Sequence, residues 1–186
     1  MPLIAVVYFS ETNVTSQLAK AIVAGINQEP DISVLEHRIY GHEIVEGRFE
    51  NAVLFEQLKL CDAIIFGSPT YMGSVAAQFK AFADASSEHW QCQEWADKVA
   101  TGFTSGTGLN GDQSSTLQYL ATLASQHGML WVGVDASYDS VDASINRLGC
   151  QLGVVAQTSN NIVNEVDLAT AKYLGRRVAK LTLRLN

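Results

Sequence analysis

From Leu3 to Phe9 the chain reads Leu-Ile-Ala-Val-Val-Tyr-Phe, seven apolar or aromatic residues without a polar break. A strand with one face in water alternates, so a continuous run must be covered on both faces. Sheets covered in that way are predominantly parallel, with helices above and below. Similar runs return at Ala63-Ile-Ile-Phe-Gly67, Val99–Thr104 and Met129–Val134, while the more polar Ile32–Ile39 reads as an edge strand. The segments between them carry helical spacing: Val14, Leu18, Ile22 and Ile26; a short helix over Ala52–Leu60; and Val75, Phe79 and Phe82 on one face of a second long helix. Leu117, Leu120, Ala121 and Ala124 mark a further helix, and Ala171, Leu174, Val178 and Leu181 a C-terminal one that starts at Glu165. That last helix opens with Glu165 and Asp167 and closes on Arg176, Arg177, Lys180 and Arg184, which complements its macrodipole. Strands alternating with helices predict an α/β fold, a doubly wound five-stranded parallel sheet, with residues 1–186 as one domain.

Charge and cysteine usage narrow the function. With 12 Lys+Arg against 19 Asp+Glu the net charge is −7, which leaves no electrostatic footprint for nucleic acid or an anionic membrane. Cys61, Cys92 and Cys150 form no C-x-x-C pair and no zinc set with the histidines, and their odd number fits a reducing compartment. The run Leu3–Phe9 has no basic leader and is too short for a signal core or a membrane span, so the expectation is a cytoplasmic protein without metal. The acidic run Glu43–Glu50 reads as a solvated loop, as does the stretch holding Asp135, Asp139 and Asp142.

In a parallel sheet the ligand site lies at the carboxyl ends of the strands, near the point where strand order reverses. Three loops fall there. Ser10-Glu11-Thr12-Asn13-Val14-Thr15 leads straight into a helix, and its hydroxyls and helix N–H groups make either a phosphate cradle or a plain Ser/Thr cap. It contains no Lys or Arg, and it matches neither the P-loop nor G-x-G-x-x-G. Ser68-Pro69-Thr70-Tyr71-Met72-Gly73-Ser74 combines turn formers with flat apolar side chains. Thr104-Ser105-Gly106-Thr107-Gly108-Leu109-Asn110-Gly111-Asp112-Gln113 holds three glycines in ten residues, which lets backbone N–H groups approach a polar ring edge.

On these residues the chain resembles the flavodoxin-like superfamily, and within it the WrbA-type NAD(P)H:quinone oxidoreductases. The first loop is similar to S/T-x-T-G-x-T, with Asn13 where the family has Gly. Gly67-Ser-Pro-Thr-Tyr-Met-Gly73 is similar to G-T/S-P-T-R-F-G, with Tyr71 in place of the Arg. The third loop through Gln113, the segment His127-Gly128-Met129, and Gly149–Gly153 extend the likeness over nearly the whole chain. The resemblance implies strand order 2-1-3-4-5 and FMN as cofactor. It implies that Ser10, Thr12, Asn13, Val14 and Thr15 hold the phosphate, and that Pro69, Thr70, Tyr71, Met72 and Gly73 line the isoalloxazine. Thr104, Ser105, Gly106, Thr107 and Gly108 would meet the ring's polar edge and the ribityl chain. Trp90 and His127 would border the quinone, contributed by neighbouring subunits of a homodimer or homotetramer, with His127 as the catalytic hydrogen-bond and proton donor. The implied activity is ping-pong hydride transfer from NAD(P)H to quinones. A flavodoxin-type single-electron carrier and a flavin-free scaffold stay open beside it.

Overall fold

The computed structural model describes residues 1–137 and 145–186. In chain order the elements are β1 (Leu3–Phe9), α1 (Val14–Ile26), β2 (Ser33–Ile39), β3 (Ile44–Val45), β4 (Arg48–Phe49) and α2 (Ala52–Lys59). They continue with β5 (Ala63–Tyr71), β6 (Ser74–Val75), α3 (Ala77–Ala85), α4 (Ser87–Trp90), β7 (Val99–Gly106) and α5 (Gln113–Gln126). The last are β8 (Leu130–Trp131), β9 (Val154–Gln157) and α6 (Glu165–Leu185).

The main sheet is parallel in the order β2-β1-β5-β7, with β8 and β9 sharing the next position. That is the expected 2-1-3-4-5, and the order reverses between β1 and β5. Because side chains alternate along a strand, β1 feeds two cores. Ala5, Val7 and Phe9 pack into one with residues of α2, α3 and α5. Ile4, Val6 and Tyr8 pack into the other with α1 and α6. The continuous apolar run is therefore accounted for by cover on both faces. No helix among the described residues is long and apolar enough to cross a membrane.

Several local expectations need correction. The fifth strand is split: only Leu130 and Trp131 pair with the start of β7, and β9 takes the place beside Phe103–Gly106. The chain leaves the sheet after Val132 because the returning segment crosses it there, with Gln151 O accepting from Val134 N at 2.8 Å. Val75 belongs to a short hairpin (β5–β6) rather than to a helix, and α3 spans nine residues. The region Glu43–Glu50 is no simple solvated loop. It holds the β3–β4 hairpin, and Glu43 is buried, accepting hydrogen bonds from Tyr40 N and Asn51 Nδ2 with His37 Nε2 at 3.1 Å. Asp135 pairs with Arg177 and Tyr173, while Asp139 and Asp142 lie outside the described residues.

Candidate flavin site

The carboxyl ends of β1, β5 and β7 carry the three loops to one edge, flanking the reversal of strand order. Each loop is tied to its neighbour by hydroxyl groups. Thr15 Oγ1 lies 3.1 Å from Ser105 Oγ, joining the first loop to the third. Thr70 Oγ1 lies 2.9 Å from Thr104 Oγ1 and 2.8 Å from Thr116 Oγ1, joining the second loop to the third and to α5. These threonines and serines are buried or half-buried braces that set the spacing of the loops. Gln113 closes the third loop from inside, accepting from Gly111 N at 2.8 Å and donating to Gly108 O at 2.7 Å.

The first loop keeps its donors free. Ser16 N is capped by Ser10 Oγ at 3.2 Å, and the first intrahelical bond runs from Gln17 N to Asn13 O. The N–H groups of Glu11, Thr12, Asn13, Val14 and Thr15 have no acceptor among the described residues. Several free amides at a helix start, with the positive end of its macrodipole behind them, fit a phosphate monoester. Asn13 adopts the left-handed conformation (φ 64°) that the family glycine would take, and Asn is among the side chains best suited to it. In the second loop Pro69 is buried, whereas Tyr71 is 45% and Met72 103% exposed, with Leu109 of the third loop at 72%. Large apolar side chains standing free at the tips of two adjacent loops are the signature of a surface that a flat ligand or a partner covers. Burial, with Glu11 nearby, raises the Tyr71 phenol above its usual range, so it stays protonated and neutral. The same influence puts the first and second loops side by side.

One residue escaped the sequence reading. Arg38 of β2 donates from Nη1 to Asn13 Oδ1 at 3.0 Å and from Nη2 to Ser10 O, so a cation does reach the first loop. The signal was the strand order itself, since β2 next to β1 lays the end of one beside the loop of the other.

Trp90 and His127 are not brought to these loops within the chain. α5 starts after the carboxyl end of β7 and runs back, so His127 sits beside Leu130, which pairs with Val99 at the amino end of β7. There Trp90 (46% exposed), Tyr119, Leu123 and His127 line a cavity of about 270 Å³. His127 is itself buried, its ring 4.2 Å from that of Trp95. Ser86 Oγ donates to Ala83 O, so at 2.8 Å it accepts from His127 Nε2–H, leaving Nδ1 as the unprotonated nitrogen. Burial, with His89 adding to it, pushes the His127 pKa from 6.5 down to about 4. The expectation of a ring poised to donate a proton near neutrality is thereby corrected to a neutral, packed imidazole.

The sign of this shift predicts acid sensitivity. The unfolded chain binds the proton first, so the neutral ring's contribution is complete above pH 6.5 and is lost as the pH falls towards about 4. The loss amounts to about 3 kcal/mol over that interval. Urea unfolding at successive pH values should show this slope in the wild type, and His127→Gln should flatten it. Parallel curves for the two proteins would refute the assignment.

A five-stranded parallel sheet of this order, with free amides at the first loop and two more loops beside the reversal point, defines a flavodoxin-like protein. The family model described as NADPH-dependent FMN reductase matches residues 10–141. The chain belongs to that family and is of its WrbA type, an oxidoreductase fold built around FMN. It is 38% identical to a protein named flavodoxin FldP from Pseudomonas aeruginosa (strain UCBPP-PA14), with 97% of each chain covered. It is 31% identical to an NAD(P)H dehydrogenase (quinone) from Archaeoglobus fulgidus, with 100% of each covered. A crystal structure described as the flavodoxin, WrbA-like protein from Agrobacterium tumefaciens matches with a TM-score of 0.78 at 36% identity, both chains covered completely.

Proposed function

We propose that the chain, acting as one domain over residues 1–186, is an FMN-dependent NAD(P)H dehydrogenase that passes two electrons to a quinone in a ping-pong cycle. The observation that carries this reading is the set of free amides at Glu11–Thr15 beside loops held in register by the hydroxyls of Thr15, Ser105, Thr70 and Thr104. Bound FMN supplies the hydride chemistry, and the protein supplies placement. Ser10, Thr12, Asn13, Val14 and Thr15 bind the phosphate. Pro69, Thr70, Tyr71, Met72 and Gly73 flank the ring, and Gly73 (φ 76°) turns the second loop back into its hairpin. Thr104, Ser105, Gly106, Thr107 and Gly108 meet the ring edge and ribityl chain, with Gly106 held by Thr158 N at 3.1 Å. Trp90 and the cavity beside it border the quinone from a neighbouring copy in a cytoplasmic homo-oligomer, with His127 behind them as a buried support.

The 38% identical relative named a flavodoxin supports a second reading, an electron carrier between proteins. The two part in an anaerobic titration of the FMN-loaded protein followed at visible wavelengths. One equivalent of NADPH or NADH should bleach the flavin and one equivalent of a benzoquinone should restore its colour. Bleaching by dithionite but by neither nicotinamide would reject the dehydrogenase and favour the carrier.

A further inference from the structure

The parallel register of β1 and β2 opposes Tyr8 to Arg38 and Phe9 to Ile39, which puts Arg38 beside the residue where the first loop begins. Its guanidinium donates to Ser10 O and, at 3.0 Å, to Asn13 Oδ1, both neutral acceptors. Its planar group also lies 5.7 Å from the centre of the half-exposed Tyr40 ring, which stacks on His42 at 5.5 Å. An Arg held from three sides is fixed in place, and among the described residues its hydrogen bonds leave its charge without a carboxylate. The loop it touches carries Glu11, a charge of the wrong sign for a phosphate. Asn13 is spent in an unusual way. As the residue before α1 its side chain would ordinarily accept from the helix N–H groups, yet it makes no such bond. Its acceptor faces Arg38 instead, which leaves those N–H groups open.

We propose that Arg38 is a positioning and charge-supplying residue for the FMN phosphate, aimed by Asn13. The inference rests on FMN being the cofactor. A glycine in place of Asn13 adopts the same backbone but has no acceptor for Arg38, so the two residues work as a pair. Asn13 frees the amides and holds the guanidinium, and the guanidinium offsets Glu11 and attracts the dianion.

The test is titration of flavin-free protein with FMN and, separately, with riboflavin, which lacks the phosphate, by quenching of flavin fluorescence. Arg38→Gln should weaken FMN binding roughly tenfold or more, as expected for one charge acting on a nearby anion, and leave riboflavin binding unchanged. The loss should shrink as salt is raised. Asn13→Gly should weaken FMN in the same direction, and the double variant should be no worse than Arg38→Gln alone. Equal weakening of FMN and riboflavin would mean that Arg38 only shapes the loop, and no weakening of either would mean that it does nothing for the phosphate. Each of those results overturns the proposal while FMN binding by the wild type stands. Failure of the wild type to bind FMN would overturn the cofactor reading with it.

Discussion

Replacing Gly175 by Ala is expected to lower the stability by about 2–3 kcal/mol, although Ala is the better helix former by about 1 kcal/mol. Gly175 lies in α6 where that helix crosses α1. A methyl group there would stand 2.2 Å from the carbonyl oxygen of Ile22, and one at Gly25 would stand 1.9 Å from that of Lys172. Both obstacles are backbone, so no side chain can swing aside and the helices must separate. Separation opens voids around Ile22, Ala171, Leu174 and Val178, all fully buried in the core between these helices and the sheet. Thermal unfolding should show a midpoint about 5–10 °C lower, while Gly41→Ala, where a methyl group meets nothing within 4 Å, should leave it in place. Ile22 lies roughly 12 Å along the helix from Val14, so FMN affinity of the folded protein should change less than about twofold. A midpoint that rises instead would mean that propensity outweighs the clash and that the two helices are free to move apart.

That contact illustrates what a linear reading reaches. β1 and the course of α1 and α6 were legible because each is fixed by a local pattern: an unbroken apolar run, or apolar residues every three to four positions. The three loops were legible because strand ends in a parallel sheet must share an edge. The features that escaped depend on pairings between distant segments. Arg38 faces the first loop only through its register with Tyr8, across an edge strand that looked merely polar. Glu43 in a run of acids reads as solvated, yet Asn51, His37 and the Tyr40 amide converge on it and make burial tolerable. His127 reads as a donor open to a substrate, yet it is buried, because the chain around α4 and after it brings Ser86 and the tilted ring of Trp95 against the end of α5. β9 is four residues long and offers too short a pattern to rank above the loop before it.

Replacing Asp167 by Ala is expected to weaken both the fold and the flavin site. Asp167 is 2% exposed in the first turn of α6, and Arg147 grips it twice, from Nε to Oδ1 at 2.8 Å and from Nη2 to Oδ2 at 2.7 Å. Oδ2 also accepts from Gln157 N at 3.3 Å, tying the pair to the end of β9. β9 in turn holds the third loop, through Gln157 Nε2 to Thr107 O at 2.7 Å and Thr158 N to Gly106 O at 3.1 Å. Removing the carboxylate strands a largely covered guanidinium, takes an acid from the helix start and leaves the Gln157 amide without its acceptor. Breaking a buried pair in this way costs about 3–5 kcal/mol, and partial access of water to Arg147, 27% exposed at its side chain, places the loss at about 2–4 kcal/mol. Asp167→Asn keeps an oxygen for Gln157 N but loses the charge, so it should fall between the wild type and Asp167→Ala. Because Gly106 and Thr107 are steadied from this point, FMN affinity should drop about tenfold in Asp167→Ala, and riboflavin affinity should drop with it. That pattern is the opposite of the one expected at Arg38, where only the phosphate is affected. Titrating the two ligands against both variants separates a loosened ring pocket from a lost phosphate contact. Full FMN affinity in an Asp167→Ala protein destabilised as expected would show that the third loop keeps its shape without β9.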